Sequence, residues 1–334
     1  MFVQSQEKLL PAKYSNDIKT EMLNVLNIES QAIINLINNF PISSINLVEK
    51  ILNSNGRVVF SGMGKSGLIA QKLVATFSST GTPAIFLHPA EALHGDLGMV
   101  KKDDIFIALS KSGSGVELEQ IIQILKNFGN FTALISCGTG VLSKLVDLPV
   151  TLPFTQEACQ MNLAPTTSST LTMAFGDALS VTVSKLKKFD KNDFALFHPA
   201  GALGKKLLLK VSNLIINQDL PFISLDTKFE DLLFVISSKR MGVGIIVDSK
   251  QNLLGIITDG DLRRAMQSGV SIFEKTAKDI MTINPKVINK DILAYDALLV
   301  MENFNITNLV VIDDFKKVVG LVHVHDILKA GIVK

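Results

Sequence analysis

Between residues 57 and 152 short apolar runs alternate with helical patterns, which restricts the fold more than any other feature of this chain. Strands are expected at 57–61, 84–87, 104–109, 131–136 and 148–152, and helices at 66–77, 115–127 and 140–146. Alternation of this kind predicts a parallel sheet covered on both faces by helices. Two helices precede it. The first, over 17–39, places Ile18, Met22, Val25, Leu26, Ile33, Leu36 and Ile37 at helical spacing and ends before Pro41; the second covers 43–54. Ligands of such sheets sit at the carboxyl ends of the strands, so the loops after Ser61, Leu109 and Leu152 should meet around one crevice.

The chain continues well beyond one sheet. A long apolar helix is expected from about Leu171 to Leu186, and Phe197 to Gly204, with Pro199 and two glycines, reads as a turn leading out of the first domain, with Lys205 to Lys210 as a hinge. The remainder repeats itself at a period of about 65 residues. Asp226 to Leu233 aligns with Asp291 to Leu298, and Gly255 to Leu262 aligns with Gly320 to Ile327. Each unit reads as helix, strand (Val243 to Val247; Asn308 to Ile312), turn, strand and helix, too small for a core of its own, so pairing should bury both apolar faces. The expected domains are 1–206, 207–272 and 273–334.

Composition excludes several function classes. Lys+Arg 33 against Asp+Glu 31 gives a net charge of +2 with no basic block, and with no tryptophan a nucleic-acid footprint is not indicated. Cys137 and Cys159 alone make neither a disulfide framework nor a zinc site, which fits a reducing cytosol and no metal. The N-terminus lacks a signal pattern, and the most apolar window, Phe131 to Phe154, is broken by Lys144, Asp147, Pro149 and Pro153. A cytoplasmic protein without membrane contact is expected.

Chemistry is concentrated at the strand ends. Val58 to Gly67 is an apolar strand running into Ser61-Gly62-Met63-Gly64-Lys65-Ser66-Gly67, whose glycines permit tight turning and close approach of a ligand to a helix N-terminus. The spacing matches a dinucleotide pattern, but no acidic residue ends the next strand, Ala84 to Leu87. A P-loop would need glycine where Val59 stands. A phosphate cradle remains, with the Lys65 ammonium as its positive charge.

The loop Ser110-Lys111-Ser112-Gly113-Ser114-Gly115 and the cluster Thr166 to Thr170 offer similar hydroxyls and helix starts. Each also reads as ordinary helix capping; three on one sheet edge favour a phosphate site. Ser114-Gly115-Val116-Glu117 is a capping box, yet the same position would point the Glu117 carboxylate into the crevice, where desolvation could make it a general base. Glu157 lies just past the fifth strand, where a solvated loop carboxylate is the plainer reading. His94, in the polar turn His94-Gly95-Asp96, and His198, before Pro199, are candidates for local hydrogen bonding or acid-base work.

The ordered set Ser61 to Gly67, Thr80-Gly81-Thr82-Pro83, His94 to Val100, Glu157-Ala158-Cys159, Leu163 to Thr166, Asp193 to Leu196 with His198-Pro199, Gly201 to Gly204 and Thr258 to Arg264 closely resembles the bacterial D-arabinose 5-phosphate isomerases. The resemblance covers nearly the entire chain from the first helix onward. It implies a flavodoxin-like α/β sandwich with a parallel sheet, the sugar isomerase (SIS) domain, followed by a tandem α+β pair of cystathionine β-synthase (CBS) domains. It further implies interconversion of D-ribulose 5-phosphate and D-arabinose 5-phosphate through an enediol, feeding 3-deoxy-D-manno-octulosonate and lipopolysaccharide synthesis in a Gram-negative host.

Carried over by motif, the catalytic residues are Lys65, Glu117, Glu157 and His198. Glu117 or Glu157 is the base, His198 assists ring opening or oxygen protonation, and Lys65 steadies enediolate or phosphate charge. Substrate contacts are expected at Gly62, Gly64, Ser66, His94, Ser110, Ser112, Thr166 and Ser168, with no redox cofactor and no metal. Thr258, Asp261 and Asp326 fall where CBS pairs often hold a nucleotide or sugar-nucleotide effector, and a homo-oligomer, a tetramer with sites completed across subunits, is implied. Four positions depart from the family pattern: Ser114 replaces a glutamate, Lys111 an asparagine and Ala200 a glycine, and His323 is atypical for the second repeat. The competing readings are a non-catalytic phosphosugar-binding regulator and an isomerase of another ketose phosphate.

Overall fold

The computed structural model describes residues 12–239, 241–267 and 272–333, the side chains of 12–15 excepted. The chain divides into two compact units, one ending at Asp190 and the other beginning at Lys191.

In the first unit α1 (Ala12–Asn38) and α2 (Ser43–Leu52) precede β1 (Val58–Gly62), α3 (Lys65–Ser79), β2 (Ala84–Phe86), the short α4 (Pro89–Ala92), β3 (Ile105–Ser110), α5 (Val116–Asn127), β4 (Phe131–Ser136), α6 (Leu142–Leu145), β5 (Leu148–Thr151) and α7 (Thr167–Leu186). The five strands form one parallel sheet in the order β2-β1-β3-β4-β5. That is the flavodoxin-like order, which reverses direction between β1 and β3 and opens a crevice there.

The apolar runs become strands because both of their faces are covered. Val58 and Phe60 of β1, with Ile105, Ile107 and Leu109 of β3, point into a core shared with Leu73 and Phe77 of α3 and Leu171 and Phe175 of α7. The intervening Val59, Phe106 and Ala108 point into a second core with Leu118, Ile121, Ile122 and Leu125 of α5. A period of two along each strand therefore feeds two layers, and α5 turns its 3.6-residue apolar stripe onto one of them.

The second unit begins with α8 (Lys191–Phe197) and α9 (Ala202–Leu208). The expectation of a turn and hinge here is corrected at its second half, since 202–208 is helical. Pro199 lies ahead of the helix cap Gly201 and so breaks nothing, and Gly204 is buried where a Cβ would stand 2.1 Å from the carbonyl oxygen of His198. The repeat follows: β6 (Phe222–Ile223), α10 (Phe229–Lys239), β7 (Val243–Val247), β8 (Leu253–Thr258), α11 (Asp259–Gln267), α12 (Ala277–Ile280) and β9 (Thr282–Ile283), then β10 (Val287–Asn289), α13 (Ala294–Phe304), β11 (Asn308–Ile312), β12 (Val318–His323) and α14 (Val324–Lys329).

The sheets are β6-β7-β8-β9 and β10-β11-β12, each with one parallel pair followed by antiparallel pairing. Even the irregularities recur, with a register shift at Ile246/Val247 and another at Val311/Ile312. Val243 and Ile245 of the first repeat share a core with Val310, Val318 and Leu321 of the second. The two small units are thus buried against one another.

Candidate active site

A cavity of about 300 Å³ opens at the carboxyl ends of β1 and β3, at the point where the strand order reverses. Three segments build it: Met63, Lys65 and Ser66 after β1; Ser110 to Ser112, Ser114, Gly115 and Glu117 after β3; and Pro165, Ser168, Ser169 and Thr172 at the start of α7. Two of the three expected loops, those after β1 and β3, therefore converge, and the third reaches the cavity through its far end.

The glycines of the first loop serve the backbone more than the ligand. A Cβ on Gly67 would lie 2.6 Å from the Gly62 carbonyl oxygen, and one on Gly62 would lie 2.9 Å from the Ser66 carbonyl carbon and 3.1 Å from the Leu109 oxygen. These two residues let the start of α3 press against the end of β1. Gly64 has φ +57°, a positive value that favours glycine, with nothing within 4 Å of a would-be Cβ. Lys65 and Ser66 then open the helix ahead of its first intrahelical bonds, made by Gly67 to Met63 and Leu68 to Gly64, and no side chain caps it. Free amides and the Lys65 ammonium give this end the chemistry to hold an anion.

The second loop closes on itself. Ser110 Oγ donates to the Ser114 carbonyl (2.8 Å) and accepts from its N–H (3.2 Å), so this hydroxyl braces the loop. The expected capping box is not formed. The cap of α5 is Gly115, in extended backbone, and Glu117 makes no cap hydrogen bond. Because the helix begins one residue later than a Ser114 cap requires, Glu117 occupies the second helical position and lines the cavity instead.

Glu157 is the reverse case. It is buried, at 3% exposure, and its carboxylate accepts from Ser168 Oγ (2.6 Å), the Thr166 N–H (2.9 Å), the Ser168 N–H (3.1 Å) and Thr166 Oγ1 (3.3 Å). Lys111 Nζ lies 2.6 Å away. Burial pushes the pKa of Glu157 upwards, but the hydrogen bond from Lys111, followed by those from Ser168 and Thr166, outweighs it and holds the group at about 2. Two of the amides offered for phosphate by the Thr166 cluster, those of Thr166 and Ser168, are taken by this side chain. It also explains why α7 starts at Thr167 rather than near Leu171: an anion already sits on its N-terminus.

His94 stands exposed on the turn after α4 and does not line the cavity. His198 belongs to the second unit, where its ring stacks on Phe194 (3.9 Å between centroids) and Nδ1 lies 2.9 Å from the Phe194 carbonyl oxygen. Lys111 is the residue that reading by motif left outside the site, and the signal was present: a lysine between serines at the end of β3. Among the described residues no group of three His, Cys, Asp or Glu could hold a metal ion. Among them, too, no helix is long and apolar enough to cross a membrane.

In the second unit a cavity of about 910 Å³ is lined from both repeats, by Thr258, Asp259, Lys286, Phe304, Asn305 and His323 among others. Of the three candidate effector contacts only Thr258 reaches it. Asp261 is 7% exposed and accepts from Thr258 Oγ1 (2.6 Å), the Thr258 N–H (2.8 Å), Thr282 Oγ1 (3.0 Å) and Arg264 Nη2 (2.5 Å). Asp326 lies on α14, outside the lining.

A flavodoxin-like sheet with a serine- and lysine-lined crevice, followed by a paired repeat, defines a sugar-phosphate isomerase fold with a CBS tail. Residues 50–182 match the SIS domain family, and residues 211–268 and 277–332 match the CBS domain family. The chain belongs to the arabinose 5-phosphate isomerase family. It is 40% identical to the arabinose 5-phosphate isomerase KdsD of Pseudomonas aeruginosa over 311 residues, 92% of this chain and 95% of the relative. It is 43% identical to KpsF of Escherichia coli, also named an arabinose 5-phosphate isomerase, over 83% of this chain and 84% of the relative. Among solved structures, an E. coli CFT073 protein in complex with arabinose 5-phosphate superposes with a TM-score of 0.54 at 41% identity, covering 55% of this chain and 98% of that one.

Proposed function

We propose that this chain interconverts D-ribulose 5-phosphate and D-arabinose 5-phosphate, with Glu117 as the base that moves the proton. The carrying observation is the contrast between the two carboxylates. Glu157 has its lone-pair sites engaged by four hydrogen bonds and an ammonium, and a carboxylate held at about 2 is a weak proton acceptor. Glu117 makes no cap hydrogen bond and lines the cavity.

From the aldose, Glu117 takes the C2 proton while O1 gains one, giving an enediol; loss of the O2 proton and return of a proton to C1 give the ketose. The substrate phosphate is expected at the uncapped starts of α3 and α5, with Lys65 opposing phosphate or enediolate charge. A role for His198 in ring opening rests on its motif. A cavity of about 300 Å³ suits a pentose phosphate better than a sugar nucleotide.

Glu117→Gln and Glu157→Gln, each assayed for solvent deuterium exchange at C2 of arabinose 5-phosphate, test the assignment. Exchange should be lost in the first variant and survive in the second; normal exchange in Glu117→Gln would sink it. A parallel assay with six-carbon ketose phosphates separates this substrate from its analogues, and no turnover of any of them would leave a phosphosugar-binding regulator.

The larger cavity in the CBS pair is the candidate effector site for a nucleotide or sugar nucleotide, with Lys286 as its cation, and calorimetry with adenine nucleotides tests it. The exposed apolar side chains Met22, Leu26, Ile37, Ile42 and Val181 on α1, α7 and the α1–α2 turn support a homo-oligomer, with a tetramer as the expected sedimentation result.

A further inference from the structure

We propose that Lys111 is a positioning residue, which ties the loop carrying Glu117 to the segment 157–168 beside the cavity by pairing with the buried carboxylate of Glu157. The inference deepens the assignment of Glu117 as the base and rests on that reading for its kinetic half.

Three observations carry it. First, Lys111 occupies the same six-residue loop that Ser110 and Ser114 brace and that delivers Glu117, and it lines the cavity itself. Second, its Nζ lies 2.6 Å from a carboxylate whose side chain has no exposure, while the lysine side chain is 36% exposed. The buried partner therefore depends on the half-exposed one for its counter-charge. Third, Oε2 of Glu157 accepts from the N–H groups of Thr166 and Ser168, the residues flanking the start of α7, the Ser168 hydroxyl shares Oε1 with Lys111, and Ser168 and Ser169 line the cavity wall. One ion pair thus joins two walls of the site that are 46 residues apart in sequence, and the Phe154 ring, 5.5 Å from Nζ, backs the ammonium.

The alternative is that Lys111 serves substrate phosphate directly, as a second cation beside Lys65. The two roles separate in measurement. A residue that acts through Glu157 alters placement of the base, which appears in kcat; a phosphate contact appears chiefly in KM. The charged and titratable groups facing Glu157 are Lys111 and Cys137; burial pushes the Cys137 thiol up to about 11 and Glu157 is held at about 2, so neither changes charge between pH 7 and pH 3 in the folded wild type, and a pH-dependent difference in that window reports Glu157 of a variant lacking the ammonium.

The experiment is a double-mutant cycle in the full chain, with Lys111→Met, Glu157→Gln and the combination, plus Lys111→Arg. Melting temperature is read from pH 7 to pH 3, and turnover of D-arabinose 5-phosphate at pH 7. The expected result is that each single variant lowers the melting temperature and the double variant lowers it by less than their sum. The gap between wild type and Lys111→Met narrows on acidification, because loss of the ammonium lets Glu157 take up its proton at higher pH than in wild type. In turnover, Lys111→Met loses about tenfold or more in kcat with KM changed less than about twofold, and Lys111→Arg recovers most of it.

Additive melting shifts, or a gap independent of pH, would overturn the proposal, as would a rise in KM at unchanged kcat. If wild-type protein fails to turn over arabinose 5-phosphate, the proposed function falls, and the melting cycle still decides whether the tie exists.

Discussion

Gly67 is stacked against Gly62 across the turn between β1 and α3, so closely that a single methyl group on Gly67 would stand 2.6 Å from the Gly62 carbonyl oxygen. That contact sets where α3 begins, and hence where Lys65 and the first free amides point. Gly67→Ala must displace backbone rather than a flexible side chain. It is expected to cost about 1–3 kcal/mol in stability and to weaken substrate binding, read as a lower urea midpoint together with a raised KM. Gly64→Ala meets open space but carries φ +57° with ψ −124°, outside the left-handed helical region, so its cost should be the conformational penalty of roughly 1–3 kcal/mol.

Glu117 allows stability and activity to be separated. Since it caps nothing, Glu117→Gln should leave the melting temperature within about a degree of wild type, whereas a capping carboxylate would show a loss near 1 kcal/mol. Turnover should fall by roughly 10²–10⁴, the usual contribution of a positioned base. A clear drop in melting temperature would restore the capping role.

At the opposite edge of the sheet, Asp104, just ahead of β3, is 2% exposed and accepts from the Arg57 N–H (2.8 Å), the Lys101 N–H (2.9 Å) and Arg57 Nη2 (2.7 Å). Burial opposes its charge, but hydrogen bonds led by the Arg57 side chain hold its carboxyl below the usual aspartate range. A depressed folded pKa contributes stability that is fully present above the unfolded value, near 3.9, and lost as pH falls through the folded value. Asp104→Asn should therefore destabilise by about 1.5–3 kcal/mol at pH 7, with the difference from wild type shrinking below about pH 4. Activity at 25 °C should be retained, because the cavity lies at the other ends of these strands.

The sheet was legible because burial on both faces writes itself into a sequence as uninterrupted apolar runs, and the repeat because two copies share one spacing down to the register shift at Val247 and Ile312. The site was half legible. The Lys65 loop and the Ser110 loop are local features at the ends of recognisable strands. What Glu157 does was not readable, because its partners Lys111, Thr166 and Ser168 come from separate segments and only the folded chain brings them to one carboxylate. Position along the chain likewise could not distinguish a Ser114 cap from a Gly115 cap, a difference of one residue that decides whether Glu117 faces its own helix or the cavity. The helix over 202–208 was hidden by glycines whose role is close packing on His198 rather than chain reversal.

Substitution of Asp261 separates a binding role from a structural one. Its position in the repeat suggests a ribose acceptor, yet its two oxygens receive the Thr258 hydroxyl and amide, the Thr282 hydroxyl and the Arg264 guanidinium. These bonds, led by those from Thr258, hold its carboxyl below the ordinary aspartate value against the opposing effect of burial. They join the end of β8 to α11 and to β9, so the carboxylate acts as a clasp on the first repeat. Asp261→Ala leaves the half-buried Thr258 amide and hydroxyl without their acceptor, while the exposed Thr282 hydroxyl and Arg264 guanidinium turn to water, and should destabilise the CBS unit by about 1–3 kcal/mol. Asp261→Asn keeps the shape and should cost less than half as much. If a nucleotide occupies the neighbouring cavity, its affinity in Asp261→Asn should remain within about threefold of wild type, since Thr258, Lys286 and Asn305 line that cavity and Asp261 does not. A loss of tenfold or more, measured by calorimetry on folded Asp261→Asn protein, would make the carboxylate a ligand contact and the clasp secondary.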